Sequence, residues 1–71
     1  MDYNIGNRVL QKRISFGWTL QELSDKTDLD VSQISKIEGG QAGKLQAKTI
    51  YKLAKALDTT TDWLLGIDDE N

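Results

Sequence analysis

The chain has 71 residues, enough for one small domain that buries only about 60% of the surface its unfolded form exposes. It contains no cysteine and no histidine, which excludes disulfides, thiolate zinc sites and catalysis that needs an imidazole or a thiol. A formal charge of −2 argues mildly against nucleic acid, so the distribution of charge carries more information than the sum.

The N-terminal stretch MDYNIGNRV lacks the basic-then-apolar layout of a secretory leader, and no apolar run approaches a membrane span. A soluble, cytoplasmic protein is expected, with residues 1–71 as a single domain. Apolar positions recur at helical spacing throughout, no run alternates as a strand does, and there is no proline. Five short helices follow from that pattern. The first runs from about Ile5 to Phe16, and Ile5, Val9, Leu10, Ile14 and Phe16 fall on one side of it. Arg13 projects into the middle of this apolar side. Either it snorkels from the helix end, or it is largely buried and needs a carboxylate partner.

The second helix opens with clear punctuation: Thr19 can cap, Glu22 completes a capping box, and Trp18 can staple onto Leu23. It is expected to end near Thr27. The third repeats the grammar, with Asp30 as cap, Gln33 closing the box, Leu29 stapling to Ile34, and Gly39-Gly40 as terminator. Two capped helices thus meet through a turn of a few residues at Asp28-Leu29, which is helix-turn-helix spacing. A fourth helix, from about Ala47 to Leu57, buries Ile50, Leu53, Ala54 and Leu57. Lys48, Lys52 and Lys55 lie on its other side; for Lys52 and Lys55 the default is a solvated face. The last helix begins near Thr60 and carries Trp63, Leu64 and Leu65 up to Gly66. Residues 67–71 read as an acidic tail, and Asp68, Asp69 and Glu70 account for three of the eleven acids. Between residues 36 and 55, by contrast, Lys36, Lys44, Lys48, Lys52 and Lys55 face Glu38 alone.

Asp28, Asp30 and Ser32 alternate like the first ligands of a calcium loop. That loop needs glycine at position 6 and glutamate at position 12. Counted from Asp28, those positions hold Gln33 and Gly39, so the metal reading fails. On a helical wheel of residues 31–38, Ile34, Ile37 and Glu38 share one side. The other side presents Val31, Ser32, Gln33, Ser35 and Lys36, a set suited to base edges: lysine for guanine, glutamine for adenine, serine for either, a valine methyl for thymine. An ordinary polar helix face is an equally good account of those letters alone. Glu38, on the apolar side of its helix, has the complementary need to Arg13. A bidentate Arg13–Glu38 pair is therefore expected, fixing the angle of the third helix.

With these residues in place, the chain resembles the Cro/repressor helix-turn-helix family, also called the Xre family, which includes many phage repressors. The resemblance covers roughly residues 5–66. It rests on TLQELSDKTDLDVSQISKIEGG, through Leu23, Ser24, Leu29, Ile34, Ser35, Ile37 and Glu38, and on LAKALDTTTDWLLG. It implies an all-α, lambda-repressor-like domain of five helices whose third helix enters the major groove. It also implies a symmetric dimer on a palindromic operator, with half-sites about 34 Å apart. Carried over by position, Val31, Ser32 and Lys36 read bases, with Gln33 and Ser35 nearby. Phosphate contacts fall at the start of the second helix, the end of the third and the loop into the fourth, hence Thr19, Gln21, Gly39, Lys44 and Lys48. Three departures bear on those contacts. Leu20 stands where many members have a phosphate-binding glutamine, and Asp28 replaces the usual turn glycine. Gly39 replaces a polar residue, in front of a long loop, QAGKLQ.

The reading that follows is a sequence-specific double-stranded DNA-binding regulator, a repressor that occupies an operator, with no cofactor, no metal and no enzymatic activity. A homodimer is expected at least on DNA, with Leu64, Leu65 and Ile67 as candidates for its interface. The runner-up is a protein-interaction module on the same scaffold, of the antitoxin or antirepressor kind.

Overall fold

The computed structural model describes residues 5–67. The acidic stretch Asp68-Asp69-Glu70 lies outside these. Among the described residues the fold is all-α, with five helices in chain order: α1 Ile5–Ser15, α2 Leu20–Thr27, α3 Val31–Glu38, α4 Ala47–Ala56 and α5 Thr61–Leu65. They wrap one core in which Val9, Leu23, Ile34, Leu53, Leu57 and Leu64 are fully buried, with Ile37, Leu29 and Ala54 close to it. α3 is clasped between α1 and α2, and α5 closes the domain by packing on α1 and α4.

Short-range chemistry explains most element ends. Thr19 Oγ1 accepts from the Glu22 N–H at 3.1 Å, and Glu22 Oε1 accepts from the Thr19 N–H at 2.8 Å, so the expected capping box is formed. At the end of α3, Gly40 takes a φ of +75°, a region that favours glycine. Its N–H donates to the Ile37 carbonyl and the Gln41 N–H to that of Lys36, the paired bonds of a Schellman ending. Thr60 caps α5 by accepting from the Trp63 N–H at 3.0 Å.

Four expectations need correction. Asp30 stands at the start of α3 with extended backbone, but its side chain makes no capping bond, and Gln33 does not close a box. Local sequence permits that bond; nothing local compels an exposed carboxylate to make it. Ile14 and Phe16 are 60% and 42% exposed rather than buried. The side of α1 that meets the domain is centred on Gly6 and Val9, and Ile14 lies about 140° around the helix from Val9. Phe16 follows the helix end and stacks on Trp18 instead, with ring centroids 4.7 Å apart. Ile50 is only half-buried, while Thr49 takes an inward place on α4. Leu64 is fully buried in the core, so of the three interface candidates only Leu65 and Ile67 retain accessible surface.

Candidate nucleic-acid interface

The turn that joins α2 to α3 is held by its own side chains. Asp28 adopts a left-handed φ of 64°, which aspartate tolerates better than most residues, and its N–H donates to the Ser24 carbonyl at 2.8 Å. Buried Thr27 donates its hydroxyl to the Leu23 carbonyl at 2.8 Å and accepts from the Leu29 N–H at 3.3 Å. The Ser24 hydroxyl reaches across the turn to the Leu29 carbonyl. The Ser24 and Thr27 hydroxyls therefore each close a bond across the turn, and the two helices are set at one angle.

The far end of α3 is set by α1. Arg13 Nε donates to Glu38 Oε2 at 2.7 Å, and Nη2 donates to Oε1 at 3.0 Å, a bidentate pair. The third nitrogen, Nη1, donates to the Trp18 carbonyl at 2.8 Å, so the guanidinium ties α1, the corner before α2 and the end of α3 together. With side chains only 14% and 9% exposed, the pair is largely withdrawn from water. The hydrogen bond from Glu38 raises the Arg13 pKa above its ordinary value; burial opposes the shift, and the charge of Glu38 adds to it. Beside this pair, Gly6 lets the α1 backbone press against α3: a Cβ at position 6 would stand 2.1 Å from the Ile37 carbonyl oxygen.

What remains on the outside of α3 is Ser32, Gln33, Ser35 and Lys36, all exposed, with Val31 half-buried at the leading edge. None of these four exposed side chains has a hydrogen-bond or ion-pair partner among the described residues. Between α3 and the loop into α4 lies an open groove of about 280 Å³ with Gln33 and Lys36 on one wall and Lys44, Gln46 and Thr49 on the other. Lys44 is thereby brought beside the outer face of α3, and Lys48 stands exposed in the first turn of α4.

The remaining anticipated contacts are less uniform. Thr19 is exposed but already engaged as a cap. The Gln21 amide donates to Asp25 Oδ1 at 3.0 Å, so it must exchange that bond to meet another acceptor. The Gly39 N–H donates to the Ser35 carbonyl at 3.0 Å; what this residue offers a phosphate is close approach rather than a donor. The acids of the α2 side, Glu22, Asp25, Asp28 and Asp30, are exposed, and among the described residues no acidic group is arranged to hold a metal ion.

Sequence reasoning missed three features of the frame. The Gly6 contact could have been suspected from a glycine in the first turn of an otherwise ordinary helix. Arg8 reads as an ordinary helix cation in the sequence, yet its Nη1 donates to the Trp63 carbonyl at 2.8 Å and its guanidinium lies 4.8 Å from the centroid of the Trp63 ring. Lys12 approaches the same ring at 5.3 Å. Gln46, on the groove wall, carried no signal in its local sequence.

No helix among the described residues is long and apolar enough to cross a membrane. A family model described as a helix-turn-helix domain matches residues 6–68. No curated protein and no solved structure matches the chain.

Proposed function

The chain belongs to the helix-turn-helix domain family, and from that premise we propose that it is a sequence-specific, double-stranded DNA-binding regulator of transcription. Within that family we place it with the Cro/repressor, or Xre, type. The observation that carries the reading is the division of α3. Its inner side is locked by two isoleucines and a bidentate ion pair, while four polar side chains on its outer side are left without partners. A polar face held rigidly and satisfied by nothing within its own chain suits base edges in the major groove. α3 is the reading helix, with Val31, Ser32, Gln33, Ser35 and Lys36 facing bases. Lys44 and Lys48 bind phosphates, joined by Thr19, Gln21 and the close approach at Gly39. The protein acts as a repressor by occupying a palindromic operator as a homodimer and excluding polymerase, and it has no enzymatic activity.

A gel shift titrated with salt tests this. Affinity should fall steeply with salt as counterions are released, and Lys44→Ala should weaken all sequences alike. Lys36→Ala should cost about 1–3 kcal/mol at one base position and relax preference there. Absence of any binding at low salt would sink the proposal. One observation favours a second reading, a protein-interaction module: the Gln21 amide is tied to Asp25 on an acidic α2. In that case binding to DNA is absent, and Lys36→Ala instead weakens a protein complex.

A further inference from the structure

α4 carries a basic stripe that its own stability opposes. Lys48, Lys52 and Lys55 recur at i, i+4 and i+7, away from buried Thr49, Leu53 and Ala54, and the helix AKTIYKLAKA contains no acid. Lys48 stands in the first turn, where the positive end of the helix dipole disfavours a cation, whereas Lys55 in the last turn is favourably placed. Lys48 with Lys52, and Lys52 with Lys55, are like-charge neighbours that repel. No acid relieves them. Among the described residues Lys44, Lys48, Lys52 and Lys55 make no ion pair, and Glu38, the one acid between residues 31 and 57, is committed to Arg13. Asp58 lines the same hollow as Tyr51 and Lys55 without pairing with the ammonium, which instead lies 5.9 Å from the centroid of the 56%-exposed Tyr51 ring.

The stripe begins one residue away from the groove on the outer face of α3. Lys36 and Lys44 share the groove that ends on Thr49 of α4, and Lys48 follows one residue before it. From Lys48 to Lys55 the stripe runs about 10 Å along the axis at 1.5 Å per residue. Projected on the duplex axis, that is the rise of about three phosphates of one strand, at about 3.4 Å each. The exposed acids Glu22, Asp25, Asp28 and Asp30 lie on α2 or the turn after it, and Asp58 and Asp62 lie past the end of α4. The acid-free side toward which a polyanion is steered therefore runs from Lys36 through Lys44 and Lys48 to Lys52.

We infer that Lys52 and Lys55 bind the phosphate backbone of duplex DNA outside the bases that α3 reads, with the Tyr51 ring beside them. The inference rests on the proposed DNA-binding function and adds to it a second, sequence-independent contact surface. Bound phosphates reverse the sign of the unfavourable arrangements on α4, because each repelling lysine gains an anion.

The probe is the duplex that this chain enriches from a random-sequence library, intact and with single neutral methylphosphonate linkages. In the variant K52Q/K55Q the slope of log affinity against log salt should be shallower by about 1.8, about 0.9 for each lysine. The order of preference among base-substituted duplexes should not change. Methylphosphonates outside the read bases that weaken the wild type should leave the variant unaffected. Circular dichroism should show the variant melting close to the wild type, since the loss of Lys55 from the favourable end of the helix dipole offsets the two repulsions removed. A variant that keeps the wild-type slope and the wild-type methylphosphonate pattern overturns the inference. If that variant also loses a salt-sensitive self-association in DNA-free sedimentation, the stripe belongs to a second copy of the chain. If the wild type enriches no sequence and binds no duplex at low salt, the DNA function itself falls; failure of this inference alone leaves binding and its Lys36 dependence intact.

Discussion

On its inner side α3 has Ile34 and Ile37 at 0% and 2% exposure and Glu38 in two hydrogen bonds to Arg13. On its outer side, one or two residues away along the same eight-residue helix, Ser32, Gln33, Ser35 and Lys36 touch nothing that satisfies them. The two sides divide labour. The inner one spends its chemistry on fixing where the helix lies; the outer one keeps its hydrogen-bonding capacity for something outside the chain. The starts of α2 and α3 repeat the contrast on a smaller scale, since α2 has a complete capping box and α3 has no side-chain cap at all.

Substitutions on the two sides should therefore separate stability from binding. The largest effect is expected at Gly6→Ala, where the new methyl must displace the α3 backbone at Ile37. A loss of about 3 kcal/mol in urea unfolding is expected from such overpacking; a neutral result would mean that α1 can slide without cost. Glu38→Ala should lose about 2–3 kcal/mol, because it leaves the Arg13 guanidinium largely buried and unpaired. Arg13→Met combined with Glu38→Leu should recover most of that loss, as apolar replacement of a buried pair commonly does. If the double variant stays stable but loses sequence preference, the pair serves orientation more than stability. The raised pKa of Arg13 adds a sign: its contribution is present at every pH below the ordinary arginine value and is lost only as pH rises past the folded value. Stability in the neutral range should not titrate through this group.

The two helix starts provide a smaller test. Thr19→Ala should cost about 1 kcal/mol through loss of the α2 box. Asp30→Ala should stay within about 0.5 kcal/mol, because no cap bond is present to lose. Equal losses in thermal melts would show that Asp30 caps α3 in solution and would weaken the contrast. Least of all, Ser32→Ala and Ser35→Ala should leave stability within about 0.5 kcal/mol while changing which sequences are bound. A large drop in melting temperature for either would place that serine in the frame rather than on the reading face.

Much of this was legible in the sequence because it depends on near neighbours. The capping box at Thr19 and Glu22, the left-handed turn at Asp28 and the glycine ending of α3 involve residues within a few positions of one another. Helical periodicity likewise announced five helices and the inward side of α3. The Arg13–Glu38 pair is a long-range contact, 25 residues apart, yet it could be inferred because each charge sat alone on an apolar side and needed the other. The helical wheel placed the candidate readers on one face, and the family resemblance turned that face from an ordinary polar one into an expected reading surface.

Tertiary structure alone decided which apolar residues are used and which polar groups stay free. Ile14 and Leu64 are equally hydrophobic in the sequence; one is 60% exposed and the other fully buried, because packing selects a narrower stripe than periodicity draws. The intimate approach at Gly6, the link from Arg8 to the Trp63 carbonyl across 55 residues, and the groove that brings Lys44 beside Lys36 all arise where distant segments meet. Local sequence sets where helices begin and end, since those bonds close within one turn. The angle between helices, and with it the surface left for a partner, is a balance of contacts that exist only once the chain has folded.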